Sequence, residues 1–207
     1  MGSLADAPRA SRHEKAAGTR ARLFAAAAEL FTRHGYRATT VNQIASHAGV
    51  AKGTFFLHFS TKDAVITQLV RHQTTAARRE RERVRAAGGS SVERLRATVL
   101  MLGAQAGASR ALSRAVLTAS LENPDVGGAT DALFLDVFAE MTEDVKSAQA
   151  EGLLAAEPDA ETLAGVVMAS YLGAALHFSS SPRTKPLLDI LEPLVAANLA
   201  AFSRPKL

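Results

Sequence analysis

Hydrophobic residues recur every three or four positions along most of this chain, which is the spacing of amphipathic α-helices. The first long instance runs from about Thr19 to His34, and Gly35 is placed to end that helix. Few stretches alternate with a period of two, as half-buried β-strands do. The pattern therefore predicts an all-α fold. One face of the first predicted helix carries Leu23, Ala26, Ala27, Leu30 and Phe31.

Two short helices joined by a tight turn are predicted after the first helix. Thr40 and Gln43 have the spacing of a capping box, in which two side chains satisfy backbone N–H donors at a helix start. This helix is expected to end near His47. Gly49 suits the turn because glycine tolerates the left-handed backbone conformation, and the second helix is expected to end near His58.

Six longer helices are predicted in the rest of the chain, separated by Gly, Pro and Ser residues. Ser60, Thr61 and Asp63 favour the start of the first of these, which should reach about Arg85. Pro193 is expected either to kink the last helix or to lie in its first turn. The other five helices are predicted over residues 91–106, 109–121, 127–152, 159–178 and 187–202.

Positive charge is concentrated at the beginning of the chain. Residues 1–62 contain nine Lys and Arg residues against three Asp and Glu, whereas residues 63–207 contain fifteen against seventeen. This contrast indicates a polyanion-binding module joined to a mildly acidic body, so we expect two domains with these bounds. Residues 1–15 are expected to form a polar arm. Its cationic side chains are Arg9, Arg12 and Lys15.

Residues 41–58 meet the packing requirements of a helix-turn-helix. Ala45 is small where the two helices must cross, and Gly49 makes the turn. Because its apolar side packs in the shared core, the second helix would present its outer side to a DNA major groove. The residues expected to point into the shared core are Ile44, Val50 and Phe55.

The chain resembles the TetR family of bacterial transcription regulators in two segments. One is TTVNQIASHAGVAKGTFFLHFSTKDAV, residues 39–65, and the other is the first helix with the loop that follows, RLFAAAAELFTRHGYRATT. The resemblance implies an N-terminal three-helix domain with a helix-turn-helix over about residues 39–58. It also implies a larger C-terminal helical domain, residues 63–207, that binds an effector and dimerises.

The same resemblance implies a set of DNA-binding residues. Thr40 is expected to bind a backbone phosphate at a helix start, and Lys62 to grip another phosphate. Phe56 stands where the family commonly has Tyr, so a hydroxyl contact is lost and packing on a sugar or a thymine methyl is the alternative. The residues expected to face bases or phosphates, or to allow close approach, are Lys52, Gly53, Thr54, Leu57 and His58.

The last two helices are expected to form a dimer interface, because a regulator of this type lengthens its recognition sequence by two-fold repetition. A stripe of small residues, Gly165, Ala169 and Gly173, would let another helix approach closely. The alternative is that both helices are buried within one subunit. The residues of the final helix assigned to this interface are Leu187, Leu191, Leu194 and Val195.

An apolar effector cavity is the second expectation for the larger domain. Family members commonly enclose such a ligand among the middle helices, and Met side chains suit adaptable pockets. Simple core packing is the alternative for each apolar residue. The residues predicted to line the cavity are Met101, Gln105, Phe134, Phe138, Met168, Tyr171 and His177.

The sequence offers no pattern of an enzyme or of a cofactor or metal site. It has no Cys, its six His residues form no metal-ligand pair on a helix, and it lacks a Gly-rich phosphate loop and a Gly-x-Ser-x-Gly turn. The chain shows no secretion-signal pattern at its beginning, and its most apolar run, residues 163–178, is shorter than the ~20 residues of a membrane span. We therefore expect a cytoplasmic protein.

The sequence thus predicts a dimeric repressor that binds a palindromic double-stranded operator and is released by a small apolar or amphipathic ligand. An alternative is a helical small-molecule-binding protein whose first domain is a relic without specific DNA recognition. Salt-dependent, sequence-selective binding to duplex DNA distinguishes the two hypotheses.

Overall fold

A computed structural model describes residues 12–181, 183 and 185–203, and over these residues the fold is all-α, as predicted. The chain divides into two compact units, residues 1–65 and 66–207. The helices are α1 (Arg12–His34), α2 (Val41–His47), α3 (Lys52–His58), α4 (Asp63–Ala86), α5 (Ser91–Gly107), α6 (Arg110–Glu122), α7 (Pro124–Ala150), α8 (Ala160–Ser180) and α9 (Leu187–Phe202).

The first unit is built around the pair α2 and α3, which α1 supports. Thr40 and Gln43 form the expected capping box at the start of α2, and Gly49 makes the turn with a φ of 66°. Turns with positive φ favour glycine because a Cβ atom would be strained there. The core of this unit contains Leu23, Phe31, Ile44, Phe55 and Phe59, all buried.

Two predicted helix starts differ from the structure. Helix α1 begins at Arg12 rather than near Thr19, because Glu14 favours its first turn and no strong helix breaker follows. Of the arm proposed for residues 1–15, Arg12 and Lys15 are therefore helical, and Arg9 lies outside the described residues.

Helix α7 begins at Pro124 rather than at residue 127. The side chain of Asn123 accepts a hydrogen bond from the backbone N–H of Asp125 at 3.0 Å, and proline is favoured in a first helical turn. Asn123 and Pro124 therefore start this helix.

In the second unit, α5 and α7 to α9 surround a continuous apolar core. Gly103 lets α9 approach α5 closely, since an added Cβ atom would lie 2.5 Å from a side-chain atom of Leu191. Pro193 is inside α9, at its seventh residue, so the expectation of a first-turn position is wrong.

Two arginines of α6 close the C-terminal end of α8. Arg114 donates from Nε and Nη2 to the carbonyl oxygen of Ser179, at 2.9 and 2.6 Å. Arg110 donates to the carbonyl oxygens of Phe178 and Ser181, and its guanidinium lies 4.0 Å from the centre of the Phe178 ring. The last carbonyls of a helix have no intrahelical donor, so these contacts satisfy them.

Helix α8 spans 21 residues, longer than the apolar run recognised in the sequence, and by length and composition alone it is sufficient to cross a membrane. Half of its most apolar window is buried inside the unit, however. A core helix of a globular protein has the same composition.

Candidate functional sites

Helix α3 has one buried side and one exposed side. Phe55 is fully buried, whereas the side chains of Phe56 and Leu57 leave 48% and 82% of their surface exposed. Lys52 and Gly53 are also exposed, and an added Cβ atom on Gly53 would meet nothing within 4 Å. The remaining two members of the predicted DNA-binding set in this helix, Thr54 and His58, are partly buried.

The end of α3 is fixed to α1 by a cation that the sequence analysis did not identify. Arg20 donates from Nη1 to the carbonyl oxygen of His58, and its guanidinium carbon lies 4.4 Å from the centre of the Phe59 ring. These contacts hold the C-terminal end of α3 against α1. Nothing in the local sequence links these positions, which are 38 residues apart.

Thr40 and its neighbour Thr39 have different roles at the start of α2. Thr40 is exposed, and its Oγ1 accepts a hydrogen bond from the backbone N–H of Gln43 at 3.3 Å. Thr39 is buried and donates through Oγ1 to the carbonyl oxygen of Gly35 at 2.8 Å. Thr40 is therefore the accessible hydroxyl, while Thr39 holds the loop before the helix.

Lys62, expected to grip a phosphate, lies inside the first unit instead. Its Nζ donates to the carbonyl oxygens of Tyr36 and Thr39 at 2.8 and 3.0 Å and lies 4.1 Å from the centre of the Tyr36 ring. Partial burial lowers the pKa of this ammonium group. Two of its three protons thus hold the loop between α1 and α2, whose carbonyls have no helical partners.

The residues predicted to line one effector cavity fall into separate places. Phe134, Phe138 and Met168 line a cavity of about 320 Å³ that opens to solvent between α7 and α8, together with Asp131, Leu135 and Leu172. Tyr171 lines a neighbouring cavity of about 50 Å³. Because Phe134 and Leu172 line both cavities, these two side chains separate them.

Three predicted cavity residues lie elsewhere. Met101 lines an open groove with residues of α4 and α9. Gln105 is exposed, and its Nε2 lies 3.6 Å from the sulfur atom of Met101. His177 is also exposed, since it falls on the side of α8 opposite Phe178 and Ser179, which are buried. Helical periodicity did not distinguish these outward positions from the inward ones.

The smaller cavity contains polar groups that the sequence analysis did not select. Gln73 of α4 and Tyr171 of α8 are 9% and 3% exposed, and neither makes a hydrogen bond with another described residue. Burial raises the pKa of the Tyr171 hydroxyl. A polar residue on the apolar side of α4 was the only sequence signal for Gln73.

The predicted dimer interface also needs correction. Leu187, Leu191 and Val195 are buried in the core of their own unit, so they are not available to a second subunit. Their face of α9 packs on α5, where Gly103 and Gly107 permit close approach.

The rest of the predicted interface is accessible. Ala169 and Gly173 are exposed, Gly165 is half-buried, and Leu194 remains exposed on α9. Added Cβ atoms on Gly165 and Gly173 would meet nothing within 4 Å inside the described chain. We call this accessible surface the α8 face. Its large apolar side chains are Val166, Leu172 and Leu176.

This chain is similar in sequence to known transcriptional regulators. Residues 23–69 match the profile of bacterial regulatory proteins of the tetR family. The transcriptional regulator UidR of Escherichia coli K12 is 26% identical over 145 residues, which cover 70% of this chain and 72% of UidR. The regulator YerO of Bacillus subtilis is 42% identical over 45 residues, which are 22% of this chain and 16% of YerO.

A solved structure shows the likeness over the whole fold. The repressor FadR of Thermus thermophilus, in complex with lauroyl-CoA, superposes with a TM-score of 0.68 and 27% identity. The superposition covers 91% of this chain and 97% of that one. The similarity therefore extends from the first unit through the second.

Proposed function

We propose that this chain, whose residues 23–69 match the tetR family of DNA-binding regulatory proteins, is a dimeric transcriptional repressor. It binds a palindromic operator and is released by a small apolar or amphipathic ligand. The observation that carries this proposal is the exposed side of α3, which presents Lys52, Phe56 and Leu57 from a buried anchor at Phe55. The protein acts in the cytoplasm, where its operator is.

DNA binding is supported by the geometry and charge of the first domain. A helix presented by a helix-turn-helix enters the major groove with its exposed side chains against the base edges. The excess of Lys and Arg over residues 1–62 favours approach to phosphates. Within the predicted site, Thr40 and Lys52 are accessible to DNA, whereas Lys62 acts by holding the loop before α2.

Dimerisation is supported by the α8 face. Leu172 and Leu176 are 47% and 54% exposed on one helix, beside small residues that permit close helix packing. Contiguous exposed apolar surface of this kind marks interaction sites. A dimer formed through this face would carry two copies of α3, as recognition of two half-sites requires.

Effector binding is supported by the two adjoining cavities. The larger has mostly apolar walls, and the smaller is lined by Gln73 and Tyr171, which can offer hydrogen bonds. A ligand that displaces Phe134 would join them, with its apolar body in the larger cavity and a hydrogen-bonding group at Gln73. Thermus FadR binds an amphipathic acyl chain, lauroyl-CoA.

Release is a shift in population between two conformations. The ligand binds more tightly to the conformation in which the two α3 helices do not match successive major grooves, so operator affinity falls. Gln73 lies on α4, the helix that begins at Asp63 directly after the DNA-binding domain. By linkage, operator DNA must weaken ligand binding by the same factor.

Selection of bound duplexes from a random DNA pool, with affinity then measured against salt, tests the proposal. We expect a palindrome whose half-sites are one helical turn or a multiple of it apart. Only weak, salt-sensitive binding without an enriched sequence would support the relic-domain alternative instead.

A further inference from the structure

We propose that this protein recognises thymine in its operator through the C5 methyl groups, which Phe56 and Leu57 contact in the major groove. The inference rests on the proposed DNA-binding function and specifies which base feature is recognised. Its starting point is the chemistry of the accessible side of α3, KGTFFLH.

The hydrogen-bonding groups of α3 are few. Arg and Lys recognise guanine, and Asn and Gln recognise adenine, through paired donors and acceptors. Helix α3 contains no Arg, Asn or Gln, and its one exposed cation is Lys52. Thr54 and His58 are partly buried. Discrimination by hydrogen bonds from this helix is therefore limited.

The apolar groups of α3 are, by contrast, prominent. Leu57 exposes 82% of its surface and Phe56 exposes 48%, in a helix whose Phe55 is fully buried. The Phe56 ring lies edge-to-face with that of Phe55, their centres 5.5 Å apart, so it is supported from beneath. The exposed surface of both side chains is therefore free to contact another molecule.

Phe56 and Leu57 lie beside Gly53 on one side of α3. Residues three and four apart share a face, so Gly53, Phe56 and Leu57 form one exposed patch. Gly53 needs no special backbone conformation, and an added Cβ atom would meet nothing within 4 Å. No contact within the described chain therefore requires glycine here, and the missing side chain would let a duplex approach the two apolar side chains.

Thymine is the one base that offers an apolar group in the major groove, its C5 methyl. Burying one methyl group against Leu57 or Phe56 is worth about a fourfold change in affinity. The same contact cannot be made with cytosine, adenine or guanine. Each half-site should accordingly contain at least one thymine at a position opposite the patch.

The test replaces thymines of the selected operator by deoxyuridine, one symmetric pair at a time. This change removes only the methyl group and preserves base pairing. We expect at least one pair of positions at which affinity falls about sixteenfold, since each operator has two half-sites and each lost methyl contact costs about fourfold. Thymines in the flanking duplex serve as controls and should be insensitive.

Variants locate the contact on the protein. Leu57→Ala and Phe56→Ala should bind the thymine operator more weakly, and one of them should no longer distinguish thymine from deoxyuridine. Lys52→Ala is the matched control on the same helix, and it should lower affinity for both duplexes equally. Circular dichroism and urea unfolding check that each variant is folded.

The outcomes separate this inference from the function on which it rests. Sequence-selective binding with no sensitive thymine pair, or an operator without thymine opposite the patch, overturns methyl recognition and leaves the repressor proposal intact. Absence of sequence-selective binding overturns both. Loss of methyl sensitivity in an alanine variant supports the assignment.

Discussion

Arg81 of α4 donates two hydrogen bonds to the carboxylate of Asp144 in α7, from Nε at 2.7 Å and from Nη2 at 2.9 Å. Asp144 is 1% exposed, and Arg94 of α5 donates to the same carboxylate at 2.8 Å. One buried anion thus joins three helices of the second unit. The Asp144 interaction also raises the pKa of Arg81.

Asp144→Ala should destabilise the protein strongly, because it leaves two arginines in the interior without their anion. Breaking a buried ion pair from one side typically costs about 3–5 kcal/mol. The neighbouring exposed residue provides a matched control, since Glu143 pairs with Lys146 at the surface. Glu143→Ala should change the free energy of unfolding by less than about 1 kcal/mol. Urea unfolding measures both, and equal effects would contradict the role assigned to Asp144.

Gly53→Ala should separate stability from DNA binding. Alanine is favoured over glycine in a helix by about 1 kcal/mol, and the added methyl group meets nothing in the protein. The variant should therefore be at least as stable as the natural chain but bind the operator less tightly. Gly128→Ala in α7, where space is also free, is the control and should leave operator affinity unchanged. Fluorescence anisotropy with labelled operator measures the affinities.

Lys62→Met should reduce stability without changing the salt dependence of DNA binding. The ammonium group holds two backbone carbonyls, and hydrogen bonds to charged groups are each worth about 1.5–3 kcal/mol. A phosphate-binding lysine would instead lower the slope of log affinity against log salt by about one per contact. A reduced slope with unchanged stability would restore the phosphate role predicted from the sequence.

Leu176→Arg should dissociate the proposed dimer. A charge brought into the α8 face without a partner costs several kcal/mol, so the dimer dissociation constant should rise on the order of 100-fold. Leu153, which is exposed just after α7, supplies the control Leu153→Arg. Sedimentation equilibrium distinguishes the two states, and a Leu176→Arg protein that remains dimeric would move the interface away from α8.

Tyr171→Phe should leave the protein about as stable as before, because it keeps the buried ring and removes a hydroxyl that makes no hydrogen bond with another described residue. Ser113→Ala is the control in the same cavity, since the Ser113 hydroxyl donates to the carbonyl oxygen of Ala106. That variant should lose about 1 kcal/mol. Urea unfolding measures both, and a destabilised Tyr171→Phe would show that the hydroxyl is structural.

Local sequence chemistry was sufficient for the elements of the fold. The capping box at Thr40 and the turn at Gly49 were recognisable because each involves residues a few positions apart. The helix start at Pro124 differed from expectation, since an asparagine or proline can either break a helix or cap one.

Contacts between distant residues were not predictable in the same way. Lys62 has the charge of a phosphate ligand, and only the fold shows that Tyr36 and Thr39 already occupy it. Likewise, Leu187 and Leu194 have the same chemistry, but one is buried against α5 and the other is exposed. A single sequence predicts the apolar stripe of α9. It does not show which neighbouring helix buries each part of that stripe.

The arginines of α6 have a mechanical consequence. Arg110 and Arg114 hold the carbonyl oxygens that end α8, so α6 cannot shift without carrying that end of α8 or leaving those oxygens without donors. Helix α6 also forms a wall of the smaller cavity, and α8 carries the exposed Leu176. A ligand that pushed α6 outward would therefore displace that end of α8, and in the proposed dimer ligand affinity should depend on protein concentration.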